Sequence, residues 1–589
     1  MRTHLGRTLG LLAILTALGG CALEADASPD GIDDVGVLPG GKADGSDYRD
    51  CELDAVVARL NAGASADEIR GWGVHSRAAT NLAAHRDGAD GVFGTEDDRL
   101  FANIGEVDAV SWVGPVAIQQ LVEAVRADAC AAPAGGAEVI MSPQDWSESH
   151  LARIVELVDA SERSIDIAMY SYSDRTVTDA LQRAVARGVQ VRFIFQGATD
   201  DRSSTSGGTS GQLEDLGIEV RWVNQIMHHK FAIFDGPRAD LAYAATGTLA
   251  TGSGNWSNSA ATRYDENTLV LSGNAELNLR YQREFNHLWD NGRPFVWNED
   301  IAPIGHVAIT NADIVDDPTV HAVFTSANFR TYDSSRYGPT FSVERGRNAV
   351  ADHWVSLIMG ARRSIRIASG HLRSRPVVEA LLAARTANPD LDIRVYLDGQ
   401  EYASEYTHDM QTSELEQCLL EAGDSVAAQQ DCTDRGFLFS YLVDHSGIDL
   451  RFKYYAYRWD YTYAPQMHHK YLIVDDEILL TGSYNLSDNA EHGTMENDVE
   501  LRGEAFRSII DAYVDNFDAL YVTAEEDGLY TGLLDEVVNG TGDFPIVFEA
   551  MALSWDQVTE LKDAIRDHCP EINSTPFREN PGAHRYCSR

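Results

Sequence analysis

The chain is poor in cysteine, in positive charge and in long hydrophobic runs, and each scarcity excludes something. Its seven cysteines in 589 residues include no Cys-x-x-Cys spacing, which removes the common structural zinc sites. A membrane-spanning helix needs roughly 20 apolar residues; the run at residues 9–18 has only ten, and no other stretch is long enough. Lys and Arg total 47 against 91 Asp and Glu, a formal net charge of −44. So acidic a surface repels phosphate backbones at distances up to the Debye length, which argues against nucleic acid as the main partner but leaves room for a locally basic pocket. General solubility accounts for the acidity itself. Apolar material is plentiful. With 44% hydrophobic and 9% aromatic residues, global disorder is excluded. The length suggests about three to five structural units.

The amino-terminal residues read as an address. Arg2 and Arg7 precede the apolar run, which ends Leu18-Gly19-Gly20-Cys21. This resembles a bacterial lipobox, so residues 1–20 are expected to be a signal peptide and Cys21 a lipidated terminus. The protein would then be an exported lipoprotein held at the bacterial outer membrane or cell surface by its lipid anchor. Cleavage near Ala25-Asp26-Ala27, releasing a secreted protein, is the competing expectation. Residues 21–47, with seven acids and one Lys, read as a disordered tether. The other six cysteines are even in number, as an exported chain with disulfides would have. Fifteen pairings are possible; the neighbouring pairs are Cys51 with Cys130, Cys418 with Cys432, and Cys569 with Cys587.

Residues 48–132 read as a small all-α module. Its end, from Val110 to Ile118, resembles half of a helix-hairpin-helix motif, with Ser111 and Trp112 where the first hairpin Gly would stand. Fourteen acids against seven bases make it a structural or docking unit rather than a DNA-binding one. The carboxylates of Asp87, Asp90, Glu96, Asp97 and Asp98 offer Ca²⁺ ligands at 87–98, but their spacing fits no standard loop, and a solvated acidic turn is the simpler reading.

The remainder is an internal duplication. A β-like run at 137–141, a helix with Leu151, Ile154, Val155 and Val158 on one face, a strand at 164–169, a second helix and a strand at 189–195 recur as 320–324, 350–361, 364–368, 376–386 and 393–397. Alternating strands and helices predict a mostly parallel sheet covered on both faces. The two lobes run over 137–297 and 319–523, with 524–589 as a carboxy-terminal tail whose helix opens on a capping box, Ser554 and Gln557.

The sharpest signal recurs at the same place in each half. Met227-His228-His229-Lys230 and Met467-His468-His469-Lys470 each run on to an aspartate, Asp235 and Asp475. Each is followed by a Gly-Ser-x-Asn carrying Ser253 and Asn255 or Ser483 and Asn485, then by Glu266-Asn267 or Glu496-Asn497. The first copy carries ten extra residues, placed at 236–245. In an extended chain residues two apart share a face, so His228 and Lys230 point one way, as do His468 and Lys470. Two imidazoles and two ammoniums around one pocket suit a phosphodiester: fixed positive charge, one nucleophile and one proton donor. Ser253, Asn255, Ser483 and Asn485 add neutral donors, and Glu266 and Glu496 can each fix an imidazole tautomer. Adjacent histidines alternate faces and cannot chelate together, so no metal is expected, and His229 and His469 read as packing residues or as residues that support the site from behind.

These residues resemble the phospholipase D superfamily, whose motif is His-x-Lys-x4-Asp followed by Gly-Ser-x-Asn; the likeness covers roughly residues 137–523. It implies a two-lobed α-β-α sandwich with one active site at the lobe interface, complete within one chain and working without metal or other cofactor. It implies a phosphohistidine intermediate, with His228 assigned as nucleophile and His468 as acid and base. Lys230, Lys470, Asn255 and Asn485 match phosphate-binding positions, and Asp235 and Asp475 match aspartates that are chiefly structural. The fold does not choose the substrate. Glycerophospholipid hydrolysis, with transfer to alcohols, is the leading expectation; an extracellular nuclease and an inactive surface binding protein are the alternatives. Between Gly399 and Met467 the second half holds 38 more residues than the first between Gly197 and Met227. They end in Tyr454, Tyr455, Tyr457, Trp459, Tyr461 and Tyr463, which either line the pocket mouth or pack on the core.

Overall fold

The computed structural model describes residues 48–588 apart from Arg49, Ala62, Ala89, Glu96, Ala102, 130–135, 197–200, 202–207, 299–300, 315–316, Asp424, 434–437, 457–458, 461–463 and Asp527. The expected signal segment, Cys21, the tether and the pairing of Cys51 with Cys130 fall outside the described residues. The chain forms two compact units, Met1–Ala129 and Cys130–Arg589.

The first unit is all-helical among its described residues, with helices at Asp50–Asn61, Ala66–Gly71, Ser76–Arg86, Ile104–Ala109 and Pro115–Ala129. They enclose a core of Leu53, Val56, Leu60, Ile69, Leu82, Val107, Ile118 and Leu121. Trp112 sits in the hairpin before the last helix at φ 74°, a conformation that favours the glycine the motif would supply. The Arg77 guanidinium lies 4.5 Å over its ring. In the acidic turn at 87–98, carboxylate oxygens of Asp90, Asp97 and Asp98 accept the backbone N–H groups of Val92, Asp90 and Gly94. Those oxygens are engaged by the turn itself.

The second unit is the duplication. The first lobe supplies β1 (Gly136–Ser142), β2 (Ser164–Met169), β3 (Gln190–Phe195), β4 (Glu219–Trp222), β5 (Ile226–Met227), β6 (Lys230–Phe234), β7 (Thr248–Gly252), β8 (Glu266–Ser272) and β9 (Arg293–Pro294). The second supplies β10 (Val320–Phe324), β11 (Phe329–Ser334), β12 (Gly338–Val343), β13 (Ser364–Ser369), β14 (Asp392–Asp398), β15 (Asp449–Tyr454), β16 (Lys470–Val474), β17 (Ile478–Gly482), β18 (Thr494–Met495) and β19 (Asn497–Arg502). It then adds β20 (Phe544–Pro545), β21 (Met551–Ser554) and β22 (Tyr586–Cys587). The two eight-stranded sheets share one order: β1-β8-β7-β6-β2-β3-β4-β9 and β10-β19-β17-β16-β13-β14-β15-β21.

The sheets are mixed, not mostly parallel. Only β2-β3-β4 and β13-β14-β15 run parallel. The strands that follow each motif return without a crossover helix, and such connections force antiparallel neighbours. Residues 524–589 are likewise no tail. β21 pairs with β15 at the sheet edge, and Val558, Leu561 and Ile565 of the helix Trp555–His568 complete the second lobe's core. An edge strand left open would be an aggregation liability, and this segment closes it. Disulfides join Cys418 to Cys432 and Cys569 to Cys587.

Strand alternation builds the interface. In β6, Phe231 and Ile233 face a core shared by both lobes while Ala232 and Phe234 face the first lobe's outer core. Tyr471 and Ile473 of β16 face the same shared core from the other side. Helices Ala275–Asp290 and Arg507–Glu526 add Tyr281, Phe285, Tyr513 and Phe517 to it. No helix among the described residues is long and apolar enough to cross a membrane.

Candidate active site

Each motif crosses to the opposite lobe just before its histidine. β5 lies parallel to β18, and the His228 N–H donates to the Met495 carbonyl at 3.1 Å. In the twin arrangement Met467 bridges Asp265, and the His468 N–H donates to the Asp265 carbonyl at 3.0 Å. The next residue on each receiving strand is the glutamate. The carboxylates are therefore exchanged: His228 Nδ1 lies 2.8 Å from Glu496 Oε2 and His468 Nδ1 lies 2.6 Å from Glu266 Oε1. Sequence reasoning gave each imidazole a glutamate, and the structure shows that the partner comes from the other half. An Nδ1 so engaged leaves Nε2 as the nitrogen for chemistry.

The lysines sit where the strand period puts them. Lys230 Nζ donates to the His228 carbonyl at 2.9 Å and lies 3.3 Å from His228 Nε2; Lys470 Nζ donates to the His468 carbonyl at 2.7 Å. All four side chains are buried. Burial, then the charges of Lys230 and Lys470, hold the His228 imidazole well below its usual range, so it is neutral. Burial pushes Glu266 up to about 7 and Glu496 up to about 8, with Lys470 and Lys230 respectively the strongest opposing charges.

The neutral donors divide. Ser253 and Ser483 are fully buried, and their Oγ atoms accept the N–H groups of Asn267 and Asn497 at 2.9 and 3.0 Å. They brace the start of β8 and β19, and each hydroxyl also hydrogen-bonds the carboxylate of the adjoining site glutamate, Ser253 that of Glu266 and Ser483 that of Glu496. Asn255 is buried with its Oδ1 lacking any partner among the described residues, and Asn485 is half-buried. Asp235 and Asp475 stand apart from the histidines. Each sits at positive φ and its carboxylate accepts three successive backbone N–H groups, of Glu162, Arg163 and Ser164 or of Arg362, Arg363 and Ser364. They pin the turn that opens β2 and β13.

Several contacts among and around the motif residues carried no sequence signal. His229 Nδ1 meets Asn497 Oδ1 at 2.9 Å, and His469 Nδ1 meets Asn267 Nδ2 at 3.0 Å. The second histidine of each motif is thereby tied to the opposite lobe, with Tyr281 and Tyr513 bonding the same two asparagines. The Tyr170 ring lies 4.6 Å from that of His228, and Tyr264 lies 6.4 Å from His468. Of the six aromatics before His468, Tyr454 and Trp459 belong to the second lobe's core and Tyr455 is buried with its hydroxyl on Asp398. Tyr457, Tyr461 and Tyr463 lie outside the described residues. Among the described residues, the grouping of metal-ligand type is Cys569, Glu571 and Cys587, whose sulfurs form a disulfide.

The family described as "Cardiolipin synthase, PLD-like domain" matches residues 154–289 and 354–521, more than half of the chain. The mitochondrial cardiolipin hydrolase of Chlamydomonas reinhardtii is 32% identical over 142 residues, 24% of this chain and 57% of that protein. The mitochondrial cardiolipin hydrolase of Homo sapiens is 31% identical over 170 residues, 27% of this chain and 62% of that protein. The chain thus spans about three fifths of these curated relatives. Among solved structures, phosphatidylserine synthase from Haemophilus influenzae Rd KW20 aligns with 65% of this chain and 86% of its own, at 11% identity and a TM-score of 0.42. The phospholipase D family member Nuc from Salmonella typhimurium aligns with 27% and 97%, at 23% identity and a TM-score of 0.23.

Proposed function

Because the chain belongs to the phospholipase D superfamily, we propose that it is a phospholipase D-type phosphodiesterase that hydrolyses glycerophospholipids, or transfers them to alcohols, through a phosphohistidine. The observation that carries the reading is the exchanged pair of His–Glu contacts, His228 with Glu496 and His468 with Glu266. Two imidazoles, each oriented by a buried carboxylate, supply one nucleophile and one proton donor without further groups.

In this reading His228 Nε2 attacks phosphorus and the P–O bond to the alcohol breaks. The departing oxygen takes its proton from His468. His468, now neutral, takes a proton from water, and the oxygen so activated attacks phosphorus and breaks the N–P bond. Lys230, Lys470, Asn255 and Asn485 hold the non-bridging oxygens, whose charge rises in both steps. No metal is required, since the lysines supply the positive charge. Export and a lipid anchor at Cys21 would keep the enzyme at a membrane surface, where its substrate is.

The curated relatives named as cardiolipin hydrolases support a phospholipid substrate. The test is hydrolysis of phosphatidylcholine and cardiolipin vesicles beside single-stranded DNA. Release of headgroup or phosphatidate at rates at least tenfold above any DNA cleavage is expected. Cleavage of DNA alone would replace the lipid reading with the nuclease one, and inactivity on all three would favour the binding protein.

A further inference from the structure

Behind the catalytic strands lies a cavity of about 600 Å³ between the helix Ala275–Asp290, the segment at 309–311 and the edge strand β10. Arg280, Arg283 and His287 of that helix line one wall, at the spacing that stacks side chains on one face. Phe324, Asn311 and Ser326 line the cavity as well. The duplication shows that the fold does not need these side chains. Tyr281 and Tyr513 are twins, so the matching positions of the second lobe's helix are Ala512, Asp515 and Ala519. In a chain of net charge −44, two arginines and a histidine in one cavity lined by the single carboxylate of Glu284 are a local reversal of the chain's balance. Arg280 is paired with Glu276 at 2.6 Å, but the Arg283 contact is a neutral amide, Nη1 donating to Asn311 Oδ1 at 2.6 Å.

The cavity touches the catalytic centre at two points. Glu284 on its floor turns inward: Oε2 accepts the Ser326 hydroxyl at 2.6 Å, and Oε1 lies 3.4 Å from Nε2 of His229, which holds Asn497. Thr325, beside the lining residue Ser326, accepts the Glu496 N–H at 2.8 Å and donates its own N–H to the Glu496 carbonyl at 3.0 Å. Glu496 is the residue that orients His228. At the twin of Glu284 stands Asn516, which takes the Tyr471 hydroxyl, so this route exists on one side.

We propose that the cavity is a second binding site, for a phosphate monoester bearing an apolar group, whose occupancy acts on His228 through the 325–326 turn and Glu284. Arg283, Arg280 and His287 hold the phosphate, and Phe324 packs on the apolar part. The shared chemistry is the phosphate head, which comes either from free phosphate or from the lipid left when a headgroup is removed.

The test uses the full chain carrying Lys230→Met and Lys470→Met, which removes the phosphate-binding cations of the catalytic cleft. Titration calorimetry with dihexanoylphosphatidate should give one site per chain, weakened at least tenfold by Arg283→Met. Inorganic phosphate binding with the same dependence on Arg283 assigns the site to the head alone. Binding only by phosphatidate assigns it to head and tail together. No binding, or binding that Arg283→Met leaves unchanged, overturns the site. In the otherwise wild-type chain, dihexanoylphosphatidate should change kcat on bis(4-nitrophenyl) phosphate at least threefold. Arg283→Met should abolish that change and leave the ligand-free kcat within twofold. Purely competitive inhibition, untouched by Arg283→Met, overturns the coupling. The calorimetry needs no turnover, so its failure is separate from failure of the phosphodiesterase reading.

Discussion

Lys453 and Asp265 form an ion pair across the lobes that the other half of the duplication does without. Nζ lies 2.7 Å from Oδ2, with side-chain exposures of 8% and 3%. The twin positions, by sheet register and motif spacing, are Val223 and Met495, both in the shared core. Lys453→Val should therefore strand a buried carboxylate at a cost of about 3–5 kcal/mol. Burial already raises the Asp265 carboxyl, against the pull of Lys453. Removing Lys453 raises it further. A carboxyl raised in the folded state stabilises below its unfolded value and loses that contribution as pH rises through the folded value, so the deficit should grow from pH 4 towards neutrality. The double variant Asp265→Met with Lys453→Val copies the apolar twin and should recover most of the loss. For a unit the size of Cys130–Arg589, unfolding entropy of about 2.1 cal/mol/K per residue makes 4 kcal/mol worth about 4 °C in the midpoint. Calorimetric melting of wild type, both single variants and the double variant at pH 4.5 and 7.5 forms a complete cycle. A Lys453→Val midpoint within 1 °C of wild type at both pH values, or a double variant no better than its singles, would refute the reasoning.

Three further outcomes follow from the site. Activity should survive dialysis against EDTA at neutral pH, measured as phosphodiester turnover before and after; loss restored by one divalent ion would contradict catalysis by two imidazoles alone. The acid limb of kcat/KM should lie below pH 6.5, because burial and the two lysines keep His228 unprotonated, and Lys230→Met should move that limb upward in the pH–rate profile. With an activated nitrophenyl diester, His468→Asn should give a burst of nitrophenol and leave phosphate on the His228 peptide, read by mass spectrometry of an alkaline digest; the adduct on His468 in the His228→Asn variant would reverse the two roles.

What was legible in the sequence was whatever repeats at short range. The strand period placed Lys230 beside His228 and Lys470 beside His468, and the capping box at Ser554 marked its helix start. Cys418 with Cys432 and Cys569 with Cys587 pair as neighbours. Illegible were relations set by chain crossing. Glu496 and Glu266 change places because β5 pairs with β18, a contact between residues far apart in sequence. Strand direction was not legible, because alternation of strand and helix describes β2-β3-β4 but not the returns through β6, β7 and β8. Ser253 and Ser483 looked like ligands because a hydroxyl near a motif is indistinguishable, in sequence, from one that braces a strand.

Duplication makes the two halves comparable position by position, and the differences bear on which histidine attacks. At the positions that differ between the halves, those on the His228 side are apolar or neutral: Val223, Met495, the amide of Gln196, whose Oε1 takes the Met227 N–H, and the Tyr170 ring. Around His468 the corresponding positions are Lys453, Asp265, Asp398, whose Oδ2 takes the Met467 N–H, and Gly370. Gly370 is the twin of Tyr170, so no ring stands at that position beside His468, whose neighbouring ring is Tyr264 at 6.4 Å. A nucleophile profits from a dry, walled setting that keeps it neutral. A group that carries a proton to a leaving alcohol and then takes one from water profits from fixed charges and from access to solvent. The asymmetry favours His228 as the attacking group and His468 as the one that trades protons.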